Sequence, residues 1–169
     1  MPGGTRPSVL LLSAPRGARL RGRAMSVREV TPQQAHELLD SGYRYVDVRT
    51  EAEFAAGHPA GAVNVPVVLP DPTTRQMVMN RDFTDVVTAH FPKDAPLVVG
   101  CQSGMRSQRA AEFLLQAGFM NVVNMAGGFG GARDQAGNFV TPGWSQCGLP
   151  MCTTCAPQNS YAGMHARLE

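Results

Sequence analysis

Long apolar runs are missing from this chain. Across its 169 residues the longest is Val9-Leu10-Leu11-Leu12, far short of the roughly 20 residues that a membrane span needs. A strong charge of one sign is missing too. The formal net charge is +2, which offers no basic face for nucleic acid. Cysteine is sparse: four in a chain of this size are too few for a disulfide scaffold, and they leave a reactive or metal-bound thiol as readings. What is present is ordinary for a globular chain. Hydrophobic residues at 43% and charged residues at 17% exclude wholesale disorder, and the length fits one domain.

The small net charge averages two unlike parts. Residues 1–24 carry five arginines and no acidic residue, whereas the rest of the chain carries ten basic and thirteen acidic residues. Interspersed with Pro2, Gly3, Gly4, Pro15 and Gly17, this stretch reads as an arginine-rich leader or a disordered arm. A transit peptide, a plain arm and a start at Met25 are the open alternatives. A secretory signal fits poorly, because Arg16 to Arg23 follow only a few apolar residues. The body is expected in the cytoplasm, with delivery to an organelle if the leader is a targeting segment.

From Ser26 helical and strand-like segments alternate. Thr31-Pro32 begins a helix that runs to about Asp40 and stops at Ser41-Gly42. Tyr43 to Val48 is a strand, and Thr50 caps a short helix from Glu51 to Ala56 with Glu53 in a capping box. Ala62 to Val65 is a second short strand ended by Pro66, and Val67 to Met79 reads as a loop. A helix from about Arg81 to His90 precedes Pro96-Leu97-Val98-Val99-Gly100, whose unbroken apolar character suits a strand buried on both faces. Ser107 to Ala117 is a helix closed by Gly118, and Met120 to Met125 is the last strand. This order predicts a doubly wound α/β domain over residues 25–150, with a mostly parallel sheet of about five strands flanked by helices. Glycine-rich residues 126–143 are expected to form a short helix and loops, and residues 151–169 an irregular cysteine-containing tail.

The chemistry concentrates in Gly100-Cys101-Gln102-Ser103-Gly104-Met105-Arg106-Ser107. A cysteine stands at the C-terminal end of a buried strand, where open α/β sheets bind ligands. The loop after it curls into a helix start, which aims successive backbone N–H groups at one point and favours negative charge there. Cys101 is therefore read as a reactive thiol rather than a small buried hydrophobe.

These residues make the chain resemble a single-domain rhodanese, most closely the plant senescence-associated members. The resemblance runs from about Val27 to Pro150. It rests on Tyr45-Val46-Asp47-Val48-Arg49, Glu53-Phe54, Gly57-His58 with Gly61-Ala62-Val63-Asn64-Val65-Pro66, the C-x-x-G-x-R-S loop at 101–107, and Gly127-Gly128. It implies a sulfurtransferase in which Cys101 attacks a small sulfur donor, thiosulfate or a persulfide, and carries the sulfur to cyanide or a thiol. It further implies that the loop from Gln102 through Ser103, Gly104, Met105 and Arg106 to Ser107 holds the persulfide. Arg106 would orient a sulfonate or the loop itself, and Arg49 stands as a second candidate near the pocket mouth. Asp47 and His58 are read as ties between strands and loops. No cofactor, metal, nucleic acid or membrane is implied, and an acceptor protein stays open.

Two rival readings follow from the same loop. A cysteine-dependent phosphatase or arsenate reductase would use a C-x5-R loop, whereas this chain has C-x4-R, a smaller cradle that suits one sulfur atom. A protein-binding or persulfide-relay module of the same fold is the other. In the tail, which holds Cys147, Cys152 and Cys155, the pair Cys152-Thr153-Thr154-Cys155 has redox-motif spacing without the strand–helix junction such chemistry needs. The three tail cysteines are read as inert, as sulfur acceptors for Cys101, or as metal ligands.

Overall fold

Thr31 and Thr50 each open a helix through a reciprocal capping box. Thr31 Oγ1 accepts the Gln34 amide at 3.2 Å while Gln34 Oε1 accepts the Thr31 amide at 3.0 Å. Thr50 and Glu53 make the same exchange at 3.2 and 3.0 Å. The structure, a computed structural model, describes residues 26–169; the leader expected at 1–24 lies outside the described residues.

The elements follow in chain order: β1 (Arg28–Val30), α1 (Pro32–Asp40), β2 (Arg44–Asp47), α2 (Glu51–Ala56), β3 (His58–Pro59), β4 (Val63–Asn64), β5 (Val68–Pro70) and β6 (Met77–Met79). Then come α3 (Phe83–His90), β7 (Pro96–Gly100), α4 (Met105–Gln116), β8 (Asn121–Met125), β9 (Ala132–Arg133), β10 (Phe139–Thr141), β11 (Met151–Cys152) and α5 (Tyr161–His165). Five strands form one parallel sheet in the order β1-β8-β7-β2-β4. The two-residue alternation of strand side chains sends them to two cores. Val46, Leu97, Val99 and Cys101 pack with Val86 and Val87 of α3 and Ala110, Ala111 and Leu114 of α4. Tyr45, Val98, Val123 and Met125 pack with Ala35 of α1, Phe54 of α2 and Trp144. The domain is the doubly wound α/β sheet that the alternation predicts.

Several segments differ from expectation. The edge strand β1 is absent from the sequence reading, because only Val30 of its three residues is buried and no period can show. The loop expected over Val67–Met79 contains an antiparallel hairpin, β5 with β6. All of β6 is exposed, so its apolar residues carry no alternation. The helix expected from Ser107 begins at Met105, with Gly104 at φ 107° in the N-cap position, a left-handed backbone that suits glycine. Residues 126–143 form turns and the β9–β10 hairpin rather than a helix.

The tail is also more ordered than the irregular segment expected. β11 pairs antiparallel with β3, and α5 buries Met164 against the α3–α4 core. Ser160 caps α5 by accepting the Gly163 amide at 3.2 Å. His90 Nε2 lies 2.7 Å from the Met164 carbonyl, and Asn80 Nδ2 donates to Tyr161 Oη at 3.0 Å. The anchoring pair Tyr161 and Met164 is only three residues apart, too short a signal to stand out among polar neighbours.

Candidate active site

Strand β7 carries Cys101 to the C-terminal edge of the sheet, on the same side as Leu97 and Val99. Its side chain is 1% exposed. Gly104 doubles the chain back, and its amide donates to Cys101 Sγ at 3.1 Å. Ser107, on the first turn of α4, places Oγ 3.3 Å from the same sulfur. The loop thus closes around a single sulfur atom, with one backbone amide and one hydroxyl at contact distance.

The glycine-rich segment after β8 holds this loop from the outside. The Phe129 amide donates to the Cys101 carbonyl at 2.7 Å, and the Gly130 amide donates to the Gln102 carbonyl at 2.9 Å. Gly128 lies at φ 58°, and a Cβ there would overlap the Cys101 carbonyl. Gly128 is therefore required by the close approach of two backbones, and Gly127, at φ 78°, by a similar approach to the Pro142 carbonyl. Beneath the loop, a Cβ at Gly100 would collide with Tyr45 Oη. Burial holds the Tyr45 phenol well above its ordinary pKa, and its hydroxyl is a neutral neighbour of the loop.

Neither arginine offers a free charge. Arg106, half-buried, makes a bidentate pair with Glu53, Nη1 to Oε2 at 2.9 Å and Nη2 to Oε1 at 2.8 Å. The Arg106 guanidinium is the main cause that draws the Glu53 carboxyl down to about 2. Arg49, 2% exposed, donates through Nε and Nη2 to Asp47 and through Nη2 to the Gly57 carbonyl at 2.7 Å. Its guanidinium carbon sits 4.3 Å from the Phe129 ring centre, and Nη1 reaches Gln102 Oε1 at 3.3 Å. Arg49, Glu53, Ala56, Gly57, Gln102 and Phe129 line a recess of about 460 Å³ beside the loop.

The remaining candidates separate by position. Gln102 and Met105 are exposed, Ser103 is partly exposed, and Gly104 is buried. Asp47 ties β2 to Arg49, and His58 stacks on Phe54 at 3.8 Å with Nδ1 against the Phe54 carbonyl at 2.8 Å. The four cysteines are free; Cys152 is held in β11, and Cys155 is exposed. Among the described residues, no group of three or more His, Cys, Asp or Glu could hold a metal ion, and no helix is long and apolar enough to cross a membrane.

Two residues of the site escaped the sequence reading in this role. Glu53 was legible as a helix cap but not as the Arg106 partner. Asn124, fully buried at the end of β8, accepts the Ser107 hydroxyl at 2.6 Å. Its only sequence signal is a polar residue inside an apolar strand.

Comparison with known proteins bears on the family and the fold. A family model described as Rhodanese-like domain matches residues 31–134. Thiosulfate sulfurtransferase 16, chloroplastic, of Arabidopsis thaliana is 41% identical over 116 residues, 69% of this chain and 85% of that protein. Thiosulfate sulfurtransferase GlpE of Haemophilus influenzae is 33% identical over 130 residues, 77% of this chain and 99% of that one. The crystal structure of Rv0390 from M. tuberculosis superposes with a TM-score of 0.63 at 31% identity, covering 76% of this chain and 98% of that one. On sequence and on fold alike, the chain belongs to the rhodanese-like domain family.

Proposed function

We propose that this protein is a sulfurtransferase and that Cys101 is its nucleophile and sulfur carrier. The observation that carries the reading is the loop closed on one sulfur, with the Gly104 amide 3.1 Å from Cys101 Sγ. In the first half-reaction the Cys101 thiolate attacks the outer sulfur of thiosulfate. A sulfur–sulfur bond forms, and sulfite leaves with the electron pair of the bond that breaks. In the second, cyanide or a thiolate attacks the outer sulfur of the persulfide and returns the thiolate. A persulfide donor enters the same cycle with its own thiolate as leaving group.

The loop size supports sulfur over phosphate or arsenate. Its C-x4-R run gathers its donors around Sγ itself, and the arginine that closes it is neutralised by Glu53. A phosphate or arsenate seated inside the loop would need donors on every side, which a loop one residue longer provides. The test is a thiosulfate-to-cyanide assay on the wild type and Cys101→Ser. The serine variant is expected to lose the activity entirely, since a hydroxyl forms no persulfide. Retention of a tenth of the wild-type rate would remove Cys101 from the mechanism.

The acid-free arginine-rich stretch at 1–24, together with a relative named chloroplastic, favours delivery to an organelle over the cytoplasm. A fluorescent protein fused behind residues 1–30 tests this by where it accumulates. Diffuse cytoplasmic signal would overturn it.

A further inference from the structure

The chemistry above uses the Gly104 amide and leaves a buried polar cluster behind the loop without a role. Ser107, fully buried, places Oγ 2.6 Å from Asn124 Oδ1, 3.2 Å from the Gly104 carbonyl and 3.3 Å from Cys101 Sγ. A hydroxyl has one proton. Three acceptors compete for it, and Asn124 makes by far the shortest contact. With the proton on that side, Ser107 meets the sulfur through a lone pair. That arrangement accepts from a thiol S–H and gives nothing to a thiolate.

The direction of the Asn124 amide follows from its other face. Nδ2, with two protons, lies 3.3 Å from each of three acceptors, Glu29 Oε1, the Gly104 carbonyl and Gln108 Oε1. Turned over, the amide would set its oxygen against three oxygens. Gln108 is held in turn, since its Nε2 donates to Glu112 Oε1 at 3.3 Å. Both Asn124 and Ser107 are 0% exposed, so solvent does not relieve the competition.

Resting on the reading of Cys101 as carrier, we propose that Asn124 is a positioning residue that restrains the Cys101 thiolate by holding the single proton of Ser107. When the thiol gives its proton to solvent, the Ser107 hydroxyl turns from Asn124 Oδ1 to Sγ. Once Sγ is bonded to an outer sulfur it is neutral, and the hydroxyl turns back to Asn124. The negative charge then sits on the outer sulfur, away from Ser107. Charged groups around the loop are the pairs Asp47–Arg49 and Glu53–Arg106, together with the carboxylate of Glu29 behind Asn124. None of them is substituted in the variants below; Glu29 loses its Asn124 partner in both Asn124 variants, and equally in the double variant.

The test uses the full chain with Cys147, Cys152 and Cys155 replaced by Ser, so that Cys101 alone reports. Two readouts at neutral pH are the ultraviolet absorbance of the thiolate, taken against Cys101→Ser, and the initial rate of alkylation by iodoacetamide. Asn124→Ala and the similarly sized Asn124→Leu are expected to raise both several-fold. Ser107→Ala is expected to lower both, and the Ser107→Ala, Asn124→Ala double variant to match Ser107→Ala alone. A gain that persists without Ser107 would overturn the proposal, as would no gain in either Asn124 variant that folds. Unchanged readouts in Ser107→Ala overturn it even if neither Asn124 variant folds. These readouts need no sulfur donor, so their failure is distinct from failure of the carrier reading, which shows as absence of sulfur uptake from thiosulfate.

Discussion

At the scale of single residues, the site works by approach distances that few side chains allow. The Cys101 carbonyl accepts from Phe129 and stands against the α-carbon of Gly128. Gly128→Ala puts a methyl group into that carbonyl at a left-handed φ, so the loop has to shift or the segment has to peel away. Sulfur transfer in this variant is expected to fall at least tenfold, while far-ultraviolet circular dichroism keeps its shape. Wild-type rates would show that the two backbones need not touch. Arg106 illustrates a different limit. Because Glu53 takes both of its outer nitrogens, Arg106→Ala is expected to slow transfer from thiosulfate and from polysulfide by similar factors, as loss of a loop brace would. A loss confined to thiosulfate would instead give the guanidinium a direct role at the sulfonate.

Single elements show how much of the site was legible. The C-terminal end of β7, the glycine turn and the start of α4 could be placed because each has a local signature: an apolar run, a glycine, a helix period. The partners of that loop could not. Glu53 lies 53 residues before Arg106 in sequence and announces itself only as the last residue of a capping box. In the structure it serves both tasks, accepting the Thr50 amide at 3.0 Å while it clamps Arg106. Asn124 was hidden for the same reason, since a parallel crossover brings β8 beside β7 and sequence distance says nothing of it. Helix α2 thus couples its own cap to the Cys101 loop, and pH tests this coupling. The Glu53 carboxyl is drawn down to about 2, so the unfolded chain takes up this proton at higher pH than the folded one. The stability it confers is complete above the ordinary carboxylate range and is lost as pH falls toward 2. Urea midpoints of wild type and Glu53→Gln are expected to differ most at about pH 6, to draw together as pH falls below the ordinary carboxylate range, and to converge only toward pH 2. A constant gap would mean that Glu53 acts by shape rather than charge.

Across the whole molecule, the tail belongs to the fold. Met164 fills the core beside α3, and β11 gives β3 its only partner strand among the described residues. Met164→Ala is expected to cost about 2–5 kcal/mol, on the order of 10 °C in Tm, with little change in transfer rate per folded molecule at low temperature. An unaltered Tm would show that the tail is not docked. The same docking argues against Cys152 swinging toward Cys101 as an acceptor, because its backbone is paired to His58. The proposed reaction stands on the carriage of one sulfur atom by Cys101. It is tested most directly by intact mass after incubation with thiosulfate and removal of excess reagent. Sulfur carried on Cys101 gives a gain of about 32 Da that maps to Cys101, disappears on adding cyanide and is absent in Cys101→Ser. No gain, or the same gain in the serine variant, would contradict it.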